Sequence, residues 1–260
     1  MRELAQRLGV SAATISAVEN GQTGISLDRL SQFAGIFRIS AAALLEGADR
    51  VPTVATAQGG DWRVFTPLRL NPALSAAVAA FVATGYHGSS MRSIAERAGL
   101  SLAGIYHYYP SKQQLLTTIL DLTMDDLEWR ITAATAEASR PILGLHRAVE
   151  ALALFHVMRA DLAFVGASEM RSLEEPARTR VAQRRSSVQH LLDDQIARVL
   201  TSGHLDCPRP RETSRAIATM CTALPQWFDM DGATPAATVA RGYADLAVRM
   251  IGAECERPSP

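Results

Sequence analysis

The stretch that most limits what this chain can become is residues 90–116, SMRSIAERAGLSLAGIYHYYPSKQQLL. Met91, Ile94, Ala95 and Ala98 recur at helical spacing and define one apolar face. Gly99 follows, where a tight helix-to-helix turn needs a positive φ. Ser101 is placed to cap a second helix with its hydroxyl. That helix must be brief, because Pro110 cannot continue it and restricts the residue before it. Ser111 and Gln114 have the three-residue spacing of a capping box, which predicts a third helix. Two short helices across a glycine turn are a helix-turn-helix, in which the second helix enters the major groove of DNA.

The second helix would present Leu102, Ala103, Gly104, Tyr106, His107 and Tyr108. Small residues at its start allow a close approach to DNA, and the three rings carry hydrogen-bonding tips. Lys112 is the only lysine in the chain. Its place on the first turn of the next helix suggests a phosphate held jointly by ammonium and helix N-terminus. Overall charge gives no hint of a nucleic-acid partner, since Lys+Arg and Asp+Glu are both 26. Between residues 70 and 116, however, Arg92, Arg97 and Lys112 face only one acid, Glu96, and it is local charge that DNA responds to.

AERAGLSLAGIYHYYPSKQQLL resembles the DNA-binding motif of the TetR family of bacterial transcriptional regulators. The shared pattern is an Ala-Gly turn, a capping Ser, a Tyr-x-His/Tyr-Tyr run, then Ser-Lys and a Leu pair. The resemblance implies an all-α fold: a DNA-binding domain over residues 68–127, then a helical ligand-binding and dimerisation domain over 128–252 and a tail over 253–260. It places DNA contacts on Arg92, Ser101, Leu102, Ala103, Gly104, Tyr106, His107, Tyr108 and Lys112.

The first 48 residues repeat the idea. Leu4 to Ser11 aligns with Ile94 to Ser101 at a constant offset of 90, and Ala5, Arg7, Gly9, Ser11, Ala13 and Ile15 recur as Ala95, Arg97, Gly99, Ser101, Ala103 and Ile105. The coinciding letters are those that a helix-turn-helix requires. Ser26 and Ser40 are placed to cap two further helices, at 27–37 and 41–45. ELAQRLGVSAATISAVENG with the segment after it resembles the XRE (lambda-repressor/Cro-like) helix-turn-helix domain. That domain normally opens with a helix before the motif, and this sequence begins inside what should follow it, so a partial domain is expected over 1–48. Its DNA-facing residues would be Ser11, Ala12, Ala13, Thr14 and Ser16. Alanines cannot make paired hydrogen bonds to base edges, so this unit should add affinity rather than specificity. Pro52, Gly59, Gly60 and Pro67 mark 49–67 as a linker.

Every segment beyond Ser111 reads as helix: 111–138, 141–159, 161–173, 175–202, 211–228 and 235–251. In the fourth of these, Arg178, Arg180, Arg184 and Arg185 are expected on a solvated face, with Val181, Val188, Leu192 and Ile196 opposite. The family resemblance implies a homodimer through the last two helices, with Ala216, Ile217, Met220, Leu224, Tyr243, Leu246, Ala247 and Met250 as the seam. It implies a small-molecule cavity too, for which Trp129, Phe155, His156, Arg159, Phe164, Met170, Arg171 and Trp227 are the candidate contacts. FHVMRADLAFVGASEMRSL resembles the sensor half of TetR-type regulators of lipid and steroid catabolism, which implies an apolar acid or acyl-CoA effector.

These readings converge on a ligand-responsive repressor of a palindromic operator. A ligand-independent architectural or partner-controlled DNA-binding protein is the alternative; a solid core in the second half would favour it. An enzyme is not expected, since the chain has no nucleophile elbow, Gly-rich phosphate loop or HExxH. Cys207, Cys221 and Cys255 have neither metal-ligand nor disulfide spacing, so no metal or cofactor is expected. No run reaches the roughly 18 uninterrupted apolar residues of a membrane span, and MRELAQRLGV is not a signal peptide. The expected setting is the bacterial cytoplasm, on double-stranded DNA.

Overall fold

The computed structural model describes residues 5, 8–19, 24, 26–37, 60–203 and 207–252. The chain divides into two compact units, Met1–Thr53 and Val54–Pro260. No strand occurs among the described residues.

The first unit contains α1 (Ala12–Glu19) and α2 (Leu27–Phe37). Its core is Ala5, Ile15 and Leu30. Ser11 accepts the backbone N–H of Thr14 at 3.1 Å and caps α1. Ser26 does the same for α2 through the N–H of Arg29, at 3.4 Å. The expected helix at 41–45 and its Ser40 cap lie outside the described residues, as does most of the expected linker.

In the second unit, α3 (Pro72–Gly88) starts where Asn71 accepts the N–H of Leu74 and Pro72 occupies a tolerated first-turn position. Gly85, at φ 72°, kinks it in its last turn. Then come α4 (Met91–Ala98) and α5 (Leu102–Tyr108). A continuous rod, α6 (Lys112–Ala136), carries the chain through residue 127 into the second half, so the expected division at 127/128 falls inside one helix. Ser111 accepts the N–H of Gln114, but of the expected capping box only this arm is present among the described contacts. The full box forms instead at Ser90 and Ser93.

The second half is a bundle around α7 (Pro141–Met158), which is buried along most of its length. It is long and apolar enough to cross a membrane by length and composition alone, but those properties serve packing here: α6, α9 (Ala177–Ser202) and α11 (Ala236–Met250) all lie against it. The close approach to α9 uses Gly144, where a Cβ would come within 2.5 Å of Gln195 Oε1. Between them run α8 (Ala160–Ser168) with a 3-10 turn at Met170–Ser172, and α10 (Pro210–Thr222) with another at Leu224–Gln226. The expected 211–228 helix thus breaks near its end, where Pro225 cannot supply a backbone N–H.

Residues 61–68 correct the expected linker at its C-terminal end. Trp62 is fully buried. Arg130 donates to the carbonyls of Trp62 and Val64, and Arg159 donates to that of Thr66. Both guanidiniums are held by the buried carboxylate of Asp126, at 2.8 and 3.1 Å. The Arg130 guanidinium also lies 3.4 Å from the centroid of the Phe65 ring. A Pro- and Gly-rich composition is compatible with a tether, but one buried indole and two arginine clamps turn its end into part of the core.

Candidate nucleic-acid interface and effector cavity

The reading head is built from local rules. Met91, Ile94 and Ala95 bury one face of α4. Gly99 adopts φ 67°, and the N–H of Leu100 returns to the carbonyl of Ala95 at 2.9 Å. Ser101 Oγ accepts the N–H of Gly104 at 2.9 Å, and Ile105 is the buried anchor of α5. Tyr109 leaves the helix in extended geometry before Pro110; its ring is buried and its hydroxyl accepts a hydrogen bond from the Asn71 amide at 2.7 Å. Burial raises the Tyr109 pKa, partly offset by that bond. The remaining side chains of α5 therefore point outward. Leu102 is 38% exposed, Tyr106 47% and Tyr108 42%; Ala103 and His107 are exposed as well. Gly104 is half-buried beneath the cap, and Arg92 is exposed on α4. The result is a short ridge of ring tips and small residues held by one buried isoleucine.

Lys112 is engaged within the protein. Its Nζ donates to the carbonyls of Tyr86 at 2.6 Å and Ser89 at 2.7 Å, and lies 4.1 Å from the Tyr86 ring centroid. Burial pulls its pKa below the ordinary lysine value, with Glu169 opposing. The half-buried ammonium ties the end of α3 to α6 with two of its three N–H groups. Gln113 reinforces the junction, donating to Tyr86 Oη at 2.8 Å and to the Ser172 carbonyl at 2.6 Å.

The first unit repeats this geometry at the offset of 90. Gly9 has φ 63°, Val10 N–H returns to Ala5 O at 3.0 Å, and Ile15 is 2% exposed. Ala13 is exposed while Thr14 and Ser16 are half-buried, and the Thr14 hydroxyl is engaged with that of Ser11 at 2.8 Å. The side chain of Ala12 lies outside the described residues.

In the bundle, a cavity of about 140 Å3 opens between α6, α7, α8, α9 and α10. Of the eight expected contacts it takes Phe155, His156 and Met170. The other five lie elsewhere. Arg159 is committed to Asp126 and Thr66, Arg171 and Phe164 are exposed, and Trp129 stands beside Arg130. Trp227 is 57% exposed and stacks on Tyr243. Most of the lining that was not expected comes from two stripes, with Leu152, Ala163, Gly166, Ala167, Ala218 and Thr222 completing it. Leu120, Thr123, Met124 and Leu127 on α6 face Val181, Arg185, Val188, Gln189 and Leu192 on α9. The signal lay in the spacing, because Arg185 falls four residues after Val181 and seven before Leu192. It is exposed, as its charge suggested, and also borders the cavity, donating to the Gly166 carbonyl at 2.6 Å. Of the other three arginines placed on that face, Arg184 pairs with Asp125 and Glu128.

Family comparison agrees with this arrangement. Residues 73–119 match the model for bacterial regulatory proteins of the tetR family, and residues 140–251 match a tetracyclin repressor-like C-terminal domain. The chain belongs to the TetR family. Ahead of these two domains, residues 1–44 match a helix-turn-helix model. The regulator BetI of Agrobacterium fabrum is 40% identical over 78 residues, which are 29% of this chain and 36% of BetI; the chain thus spans little more than a third of that relative. A tetR-family regulatory protein from Rhodococcus RHA1 superposes with a TM-score of 0.66 at 26% identity, covering 72% of this chain and 97% of that one. AibR, solved in complex with isovaleryl coenzyme A and operator DNA, shares the fold at 23% identity, with a TM-score of 0.61 over 67% of this chain and 95% of AibR.

Proposed function

We propose that this TetR family protein is a ligand-responsive transcriptional repressor that binds a palindromic operator as a homodimer. The observation that carries the reading is α5: Leu102, Ala103, Tyr106, His107 and Tyr108 stand in solvent on a helix that Ser101 and Ile105 hold rigid. Exposed rings on a capped, anchored helix have no folding purpose and suit base edges and phosphates. Leu246 and Met250 are exposed on α11, as is Trp227, which stacks on Tyr243 of the same helix; these exposed apolar side chains support a two-fold contact there. Ile217, Leu224 and Ala247, expected in that seam, are buried within the protomer. The place of action is the bacterial cytoplasm.

The cavity supports an effector and weighs against a ligand-independent architectural role. At about 140 Å3 it matches the size of void that accepts benzene. A short acyl group such as the isovaleryl carried by AibR's ligand fits that scale; a four-ring steroid does not. Arg159 and Arg171, the expected partners of a carboxylate, are not at the cavity. The reading is tested by selecting binding sites from random duplex DNA with the full chain. A recurrent palindrome with half-sites about one helical turn or more apart supports it; bound DNA without any shared sequence refutes it.

A further inference from the structure

The polar groups around the cavity leave an unusual remainder once their hydrogen bonds are accounted for. Thr123 donates its hydroxyl to the Ile119 carbonyl at 2.7 Å. Thr222 donates to Thr219 O at 2.9 Å. The Gln189 amide donates to Asp193 Oδ1 at 3.1 Å and Ser214 Oγ at 2.7 Å. Arg185 has one guanidinium nitrogen on Gly166 O.

His156 is the decisive member. It is 6% exposed, and its Nδ1 lies 2.8 Å from the Leu152 carbonyl. A carbonyl can only accept, so Nδ1 carries the proton and Nε2 is left as a lone pair. Among the described contacts Nε2 has no protein partner. Burial also pushes the pKa down to about 4, so the ring is neutral at pH 7. The side-chain donors of both threonines and of Gln189 are thus directed back into the protein, the one cation of the lining, Arg185, is exposed to solvent, and the buried polar group left without a partner is an acceptor.

We infer that the cavity selects a neutral molecule about the size of benzene that donates one hydrogen bond, from a hydroxyl on an apolar body, to His156 Nε2. A small phenol or a short branched alcohol has this chemistry. A carboxylate has only acceptor oxygens: against His156 Nε2 they meet another acceptor, so it would have to leave that nitrogen unpaired and sit on the exposed Arg185 guanidinium instead. A coenzyme A thioester presents a carbonyl at its acyl end, which has the same mismatch. The inference rests on the reading of this cavity as the effector site, and it narrows the ligand class.

The test uses the full chain and three ring compounds of nearly equal size, phenol, toluene and benzoate, with isovaleryl coenzyme A as a fourth ligand. Calorimetry should show phenol binding at least tenfold more tightly than toluene, because toluene covers Nε2 without offering it a donor. Phenol should outcompete benzoate by at least the same factor. In His156→Phe the preference for phenol over toluene should vanish while toluene still binds; the melting curve of the variant reports its fold, and the wild-type series stands without it. Benzoate or isovaleryl coenzyme A binding more tightly than phenol would overturn the donor rule and leave the effector reading intact. Binding of none of the four would overturn the proposal. Phenol binding as expected with operator affinity unchanged would uphold the ligand chemistry and refute the regulatory reading.

Discussion

Replacing Lys112 with methionine separates two roles that the sequence alone does not distinguish. Methionine keeps most of the aliphatic stem and removes the ammonium. The structure gives that ammonium two short bonds, to Tyr86 O and Ser89 O, and a ring contact with Tyr86. Hydrogen bonds to a charged group contribute about 1.5–3 kcal/mol each in well-buried settings, and a partly exposed cation over a ring adds roughly 0.5–1 kcal/mol. Lys112 is only half-buried, and Tyr86 O retains the Ser89 hydroxyl at 2.9 Å, so the lower ends apply. The expected loss is about 2–4 kcal/mol. For a unit of about 200 residues, each kcal/mol lowers the melting temperature by roughly 2–4 °C, so the midpoint should fall by about 5–15 °C. Circular dichroism melting measures this, and the salt dependence of DNA binding is measured in parallel. A phosphate contact would behave oppositely, with an unchanged midpoint and a salt slope smaller by about one. That second pattern would refute the assignment of Lys112 to the α3–α6 junction.

Removing residues 1–59 should leave the melting of the larger unit unchanged and lower operator affinity modestly without altering the preferred sequence, whereas removing 1–67 also deletes buried Trp62 and should cost about 3–5 kcal/mol; calorimetry of both truncations and site selection with the first check this, and equal melting of the two would contradict the clamped segment. His156 is held neutral to about pH 4 in the fold against 6.5 ordinarily, so the unfolded chain binds the extra proton first as pH falls. Stability should be full above pH 6.5 and drop by about 3 kcal/mol on the way to pH 4; denaturation across that range should be flatter in His156→Phe, and parallel curves would show that the ring is not buried neutral.

The reading head was legible because each of its signals is local. A left-handed residue, a cap and a chain break are fixed by chemistry within four residues, and Gly99, Ser101 and Pro110 act as their types require. The same rules recovered the first unit, where Gly9, Ser11 and Ile15 take the positions of their counterparts. The internal contacts of Lys112 were not legible because its partners lie 26 and 23 residues earlier in the chain, and no local rule says which way a lysine turns at a helix start. Trp62 escaped because a segment interrupted by Pro and Gly looks solvated until its one indole finds a core. Arg185 is exposed as its charge suggests, but its spacing from Val181 and Leu192 also brings it to the edge of the cavity. The cavity itself is a property of five helices meeting. Aromatic content alone placed Trp129 and Trp227 there, while the lining came mainly from aliphatic and small side chains.

The central claim is that α5 reads DNA, and the double variant Tyr106→Ala/His107→Ala tests it most directly. Both side chains are exposed, and neither is buried in the core of the second unit. The measurement is affinity for the selected operator and for random duplex at one fixed salt concentration, by fluorescence anisotropy, on protein whose melting midpoint is checked first. The midpoint should be unchanged, operator binding weakened at least tenfold, and random-duplex binding reduced far less, since lost base-edge contacts are worth about 1–3 kcal/mol each. Equal operator affinity for the variant and the wild type would contradict that claim.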